Sequence, residues 1–147
     1  MKYKKKQSIS KLDGIKNKQI IILAGGFGTR LQSILNGLPK PLADINGTPF
    51  LKYLLKNLVA HGFNDFIFSL HYSANKIIEF IKEQQKGLLK NLKVQYVVEN
   101  KPLGTGGAIS YVVSKKLTSE IFFVTNADTW IQKGYLEIDF EKGNVIG

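Results

Sequence analysis

The nine residues LAGGFGTRL, positions 23–31, set three glycines and the chain's only arginine directly behind the apolar run QIII. Glycine lets backbone amides approach an anion closely and adopt positive φ, so Gly25, Gly26 and Gly28 can form a nest of N–H donors for phosphate oxygens. Arg30 would complete such a loop with a planar, permanently charged fork, a grip that none of the chain's twenty lysines can copy. Further on, Lys40 stands between Pro39 and Pro41. The two prolines stiffen the backbone and remove two amide donors, holding the lysine on a rigid support that suits a phosphate contact. Two standard phosphate loops are excluded: the dinucleotide fingerprint needs glycine where Leu31 stands, and the chain has no Gly-Lys-Ser/Thr. Taken singly, each segment also has a plainer reading, a ligand-free glycine turn in one case and a surface proline turn with a solvated lysine in the other.

These side chains do chemistry only where secondary structure holds them together. From residue 19 onward strand-like and helix-like segments alternate, the pattern of a mostly parallel sheet with helices on its faces. Residues 19–24 are apolar and β-branched without a break, as expected of a strand buried on both sides. Residues 49–62 put Phe50, Leu51, Leu54, Leu55, Leu58 and Val59 at helical spacing, with Gly62 able to supply a left-handed stop. Residues 65–70 read as a strand, and 73–87 as a helix capped by Ser73, carrying Ile77, Ile78 and Ile81 on one face and ending at Gly87. A strand over 92–100, a helix over 105–116 and a strand over 120–128 complete the order. The glycine loop therefore leaves the carboxyl end of the first strand, the edge at which open α/β sheets bind ligands. His71 falls at the same edge, after the second strand. His61, beside Gly62, reads as a helix-terminal residue serving exposed carbonyls, and Trp130, two residues past Asp128, as a cover for the core, with a wall of the site as the alternative.

Composition narrows the classes. A chain of 147 residues is long enough to bury a substantial core, and 44% hydrophobic with 22% charged residues excludes wholesale disorder. With no cysteine, disulfides, thiolate zinc sites and a cysteine nucleophile are excluded, which agrees with a cytoplasmic location. Apolar runs such as IIILA are far too short to span a bilayer. Of the net charge of +10, residues 1–18 carry +6, as seven lysines against Asp13. That stretch reads as a solvated, flexible basic tail ahead of a domain at 19–147. It lacks the apolar core of a secretory signal, and with Tyr3 as its only aromatic it offers no stacking platform for nucleic acid.

L-x-G-G-x-G-T-R-L followed by P-K-P-L, then ENKPLGTGGA at 99–108 and TNAD at 125–128, resembles the signature of the sugar-1-phosphate nucleotidyltransferases. The likeness runs over residues 19–128. The segments LADINGTPFL and ENKPLGTGGA are most similar to guanylyltransferases acting on D-glycero-D-manno-heptose 1-phosphate or mannose 1-phosphate. The resemblance implies a Rossmann-like α/β fold, a mostly parallel central sheet with helices on both faces. It also implies transfer of a nucleoside monophosphate, here GMP from GTP, to a sugar 1-phosphate with Mg2+. The products would be a nucleotide sugar for surface glycans such as lipopolysaccharide or capsule, and pyrophosphate. In-line attack of a sugar phosphate oxygen on the α-phosphorus needs no protein nucleophile, only positioning and charge neutralisation. By resemblance Arg30 holds the triphosphate and the departing pyrophosphate, Lys40 the α-phosphate, and Asp128 the magnesium ion, which prefers hard oxygen ligands. Leu23, Ala24, Gly25, Gly26, Gly28, Thr29, Arg30, Glu99, Gly104 and Thr105 are the implied nucleotide contacts. His71 and Asn126 are the implied sugar-side contacts. Assembly into a homo-oligomer and independence from membranes are further expectations.

Glu99 bears on the base. Relatives that use UTP or dTTP typically carry glutamine there, whereas an ionised glutamate only accepts hydrogen bonds and so matches the adjacent N1–H and N2 amino donors of guanine. A solvated glutamate ending a strand is the plainer alternative, and UTP or dTTP the competing substrate. Asp128 likewise has a plainer reading, as a turn residue at a strand end. Two departures from the family pattern stand out. Ala127 replaces the glycine common before the aspartate, and relatives run well beyond Gly147 and carry there much of the sugar pocket and a second metal-binding aspartate. The chain is therefore expected to be an amino-terminal portion, with a catalytically incomplete nucleotide-binding regulatory subunit as the alternative.

Overall fold

In a computed structural model of the chain the structure describes residues 18–28 and 35–130. Strand β1 (Gln19–Ala24) lies inside the sheet, and Ile20, Ile21 and Ile22 are all wholly buried. The unbroken apolar run is thereby explained: Ile20 and Ile22 face one helical layer while Ile21 faces the other. A short 3-10 helix (Lys40–Leu42) leads into a two-stranded hairpin, β2 (Asp44–Ile45) and β3 (Thr48–Pro49). That hairpin is absent from the sequence reading. Its Asn46-Gly47 tip has φ of 52° and 80°, the left-handed pair that suits a tight turn, and Gly47 N–H donates to Asp44 Oδ2 at 3.1 Å.

Helix α1 (Phe50–Ala60) buries Leu51, Leu54, Leu55 and Leu58 completely, one stripe of a 3.6-residue repeat. It stops as expected. Gly62 has φ of 84°, and His61 Nδ1 bonds the Asn57 carbonyl at 2.7 Å. Strand β4 (Asp65–Leu70) is buried at every position. Helix α2 (Ala74–Gln85) seats Ile77 and Ile81 against the same core as α1. Ser73 does precede it, but its hydroxyl makes no cap bond: the residue has φ of 51°, and its carbonyl instead accepts from Lys76 N–H at 3.0 Å. The helix also ends before Gly87. Strand β5 (Lys93–Val98), helix α3 (Gly104–Ser114) and strand β6 (Phe123–Asn126) follow, each strand shorter than its apolar run suggested.

The sheet runs β5-β4-β1-β6 and every pairing in it is parallel. Helices α1 and α2 cover one face and α3 covers the other, so the expected Rossmann-like architecture with helices on both faces is observed. Because β4 and β5 build outward on one side of β1 and β6 returns to the other, strand order reverses between β1 and β6. In such sheets a crevice opens at the carboxyl ends of those two strands. At the opposite edge a polar belt ties the strands together. Buried Gln19 donates to Asp65 Oδ2 (2.8 Å) and the Leu117 carbonyl (3.1 Å), and its Oε1 accepts from Ser119 N–H (2.7 Å). Lys93 Nζ completes the belt on Asp65 at 2.9 Å. Lys18, the last residue of the expected tail, already belongs to the fold, its carbonyl accepting from Asn64 N–H at 3.2 Å. No helix among the described residues is long and apolar enough to cross a membrane.

Candidate functional site

Four segments meet at the β1/β6 switch point and enclose a crevice of about 420 Å³. This is within the range of small-molecule sites. The end of β1 and the glycine loop form one wall, through Leu23, Ala24, Gly25, Gly26 and Gly28; the end of β6 supplies Asn126 and Asp128. Lys40 enters from the 3-10 helix, and Glu99, Gly104 and Thr105 from the β5–α3 connection. All of these sequence-predicted residues therefore share one cavity. Thr29 and Arg30 lie outside the described residues.

The loop's tightness is set by its neighbours. A Cβ on Gly25 would come within 3.2 Å of His71 Cβ, 3.4 Å of His71 N and 3.5 Å of Glu99 Oε1, so a larger residue here would crowd the start of the loop against the end of β4. Gly28 has φ of 58°, and a Cβ there would meet Lys40 Cβ at 3.2 Å. Glycine loop and lysine are thus packed directly together. Pro39 and Pro41 are both buried, as a stiff support for Lys40 requires. Lys40 Nζ donates to Asp128 Oδ2 at 2.6 Å across 88 positions of sequence, and the two side chains are 41% and 38% exposed. A cation and an anion, both open to the crevice, neutralise each other. Either could exchange its partner for a ligand group of the same charge.

Glu99 is buried, not solvated, at 6% exposure. Its backbone N–H continues the sheet by donating to the Leu70 carbonyl at 2.7 Å. Its Oε1 accepts from Ser69 Oγ at 2.8 Å and its Oε2 from Leu103 N–H at 3.2 Å. The second bond closes the loop just ahead of α3, where Gly104 has φ of 69°. A carboxylate carries about four acceptor positions, and these two bonds use one on each oxygen.

His71 is not among the residues lining the crevice. Its Nδ1 bonds the Glu99 carbonyl at 2.8 Å, and its ring meets Phe27 edge to face at a centroid distance of 5.4 Å, placing it behind the loop as a support. Trp130 is 50% exposed and, among the described residues, neither packs on a core cluster, as its residue type suggested, nor lines the crevice. The methyl group of Ala127 is accommodated in the core at 1% exposure while its N–H donates to the Leu23 carbonyl at 2.9 Å, so the departure from glycine leaves β6 beside β1. Residues that the sequence reading missed also line the site: Phe27, Pro41, Pro102, Leu103 and Ala108. Each sits inside or beside a quoted motif, and that adjacency was the available signal. Among the described residues no group of three or more His, Cys, Asp or Glu side chains converges on a metal position.

Comparisons with known proteins bear on the family and the fold. Residues 19–140 match the family described as nucleotidyl transferase. The D-glycero-alpha-D-manno-heptose 1-phosphate guanylyltransferase of Campylobacter jejuni is 39% identical over 124 residues, which cover 84% of this chain and 51% of that protein. A mannose-1-phosphate guanyltransferase of Aspergillus oryzae is 31% identical over 83% of this chain and 34% of its own length. Among solved structures, HddC from Yersinia pseudotuberculosis complexed with GMP-PN has 42% identity and a TM-score of 0.65, covering 85% of this chain and 52% of that one. The chain thus spans about half the length of the bacterial relatives it matches. Since the match extends from the first strand past the aspartate that faces Lys40, and the cavity sits where the motifs converge, the chain belongs to the nucleotidyl transferase family.

Proposed function

We propose that the protein to which this chain belongs transfers GMP from GTP to a sugar 1-phosphate, a heptose or mannose 1-phosphate by similarity, releasing pyrophosphate. The observation that carries this reading is the meeting of Lys40 and Asp128 at 2.6 Å in a crevice walled by the glycine loop. In the reaction a sugar phosphate oxygen forms a bond to the α-phosphorus. The bond to the β-bridging oxygen breaks, and its electron pair leaves with pyrophosphate. Lys40, on its proline-stiffened support, turns from Asp128 to the α-phosphate and balances charge that shifts during the transfer. Backbone amides of the glycine loop hold further phosphate oxygens.

Asp128 suits magnesium: its Oδ2 already accepts a cation, the Lys40 ammonium, and one carboxylate together with substrate phosphates is an ordinary magnesium set. When bound, the ion would supply charge neutralisation for the triphosphate, and Asp128 would hold it there. Glu99 accepts the N1–H and N2 amino donors of guanine through the positions left on its two oxygens. A role in making activated sugars for surface glycans, in the cytoplasm, follows from the same reading.

Titration of GTP, UTP, dTTP, CTP and ATP against the chain with magnesium, repeated on Glu99→Gln, tests it. Tightest binding of GTP, weakened in the variant, supports the reading. Tighter binding of UTP or dTTP overturns the choice of base. Pyrophosphate release with heptose or mannose 1-phosphate tests the transfer itself, and GTP binding without release would leave a nucleotide-binding module.

A further inference from the structure

Ser69 is a polar residue in an apolar place. On β4 it follows Ile67 by two positions and therefore points to the same side, the layer of Ile21, Ile67, Val97 and Val112 under α3. It is wholly buried. Alanine or valine would fill such a position without the cost of burying a hydroxyl, a cost recovered only through a good hydrogen bond. That bond is the one from Ser69 Oγ to Glu99 Oε1, at 2.8 Å.

The carboxylate is thereby held at both ends, by Ser69 below and by Leu103 N–H at 3.2 Å on the loop side. The terminal torsion of a glutamate is broad, so a carboxylate held by one bond alone can swing and present its oxygens at many angles. Two bonds from two elements, β4 and the loop entering α3, fix its plane. Paired donors on one base edge require that plane, since both must meet acceptors at once.

We propose that Ser69 is a positioning residue for base selection: acting through Glu99, it sets the carboxylate plane so that the free acceptor positions take two adjacent N–H donors of a purine edge. This rests on the reading of Glu99 as the base contact. Ser69 itself does not line the crevice.

The test compares GTP with inosine triphosphate, which keeps N1–H but lacks the 2-amino group. Calorimetric titrations with magnesium use the full chain, Ser69→Ala and Ser69→Thr. The unmutated chain is expected to prefer GTP by about tenfold or more, the effect of one hydrogen bond to a charged acceptor. Ser69→Ala, which removes the donor without adding volume, is expected to bring the ratio below about threefold, chiefly by weakening GTP, with inosine triphosphate affinity nearly unchanged. Ser69→Thr, which restores a hydroxyl, is expected to recover the preference. On a Glu99→Gln background, Ser69→Ala should leave the ratio where Glu99→Gln put it. An unmutated preference that survives Ser69→Ala overturns the inference and leaves the guanine reading standing. Equal weakening of both nucleotides, with a lowered Tm, also overturns it, because that outcome marks a purely structural serine. No preference in the unmutated chain overturns the guanine reading itself.

Discussion

Asp128→Asn separates a structural role for the Lys40 ion pair from a ligand-binding one. Two unit charges about 4 Å apart attract by about 1 kcal/mol in water and about 4 kcal/mol at an effective dielectric near 20. With side chains 41% and 38% exposed, this pair lies toward the aqueous limit. Holding a lysine in one rotamer costs up to about 2 kcal/mol, so the net contribution to stability is about 0.2–1 kcal/mol. For a domain of this size the variant should lose no more than about 2–4 °C in Tm. Nucleotide binding should respond with opposite signs in two buffers. Without magnesium, Asp128 both occupies Lys40 and repels a triphosphate, so the asparagine variant should bind GTP up to about fivefold more tightly, the equivalent of about 1 kcal/mol. With magnesium, the gain that the unmutated chain shows on adding the ion should largely vanish. Differential scanning calorimetry and isothermal titration of GTP in EDTA and in magnesium read the two effects. A stability loss above about 2 kcal/mol, beyond what an exposed pair supplies, would refute the argument. So would an unchanged magnesium gain.

Gly25→Ala should destabilise by about 1–3 kcal/mol, since its Cβ presses on His71 Cβ and backbone, whereas Gly26→Ala, with nothing within 4 Å, should be nearly neutral; chemical denaturation midpoints distinguish them. Within α3 the same contrast recurs. Gly107→Ala places a Cβ 2.8 Å from Leu103 Cβ and should cost stability and nucleotide affinity together, while Gly106→Ala, facing open space, should gain up to about 1 kcal/mol in helix propensity. Gln19→Ala strips the polar belt of bonds to Asp65, Leu117 and Ser119 and should cost about 2–4 kcal/mol by thermal unfolding, with GTP affinity of the folded protein unchanged. Leu58→Ala, at a wholly buried position, should cost about 2.7–5 kcal/mol.

Much of the fold was legible in one dimension because its elements bury local patterns. A short β-branched run such as QIIILA suits a strand covered on both faces, and the leucine stripe of α1 suits a helix buried on one side. The glycine loop and the proline-flanked lysine were legible for a related reason, since their backbone restrictions are properties of the residues themselves. The hairpin at 44–49 was overlooked although Asn46-Gly47 announces it, because two-residue strands leave no periodicity to read. The hydroxyl of Ser73 went unused because the chain enters α2 in a left-handed conformation, which residue type alone does not dictate.

What only the tertiary structure decided is who meets whom. Nothing in the local pattern says that β6 returns beside β1 and not beside β5, yet that placement alone brings Asp128 to Lys40 across 88 residues. The order is a property of the whole sheet, set by how crossover helices divide between its two faces. Glu99 makes the same point at the level of one side chain. Its residue type allowed either a solvated strand end or a buried acceptor, and the register of β5 on β4 chose the second by setting it over Ser69 and under Leu103. Residue types determined which chemistry was available to this chain; strand order and register determined which of those groups stand in one crevice.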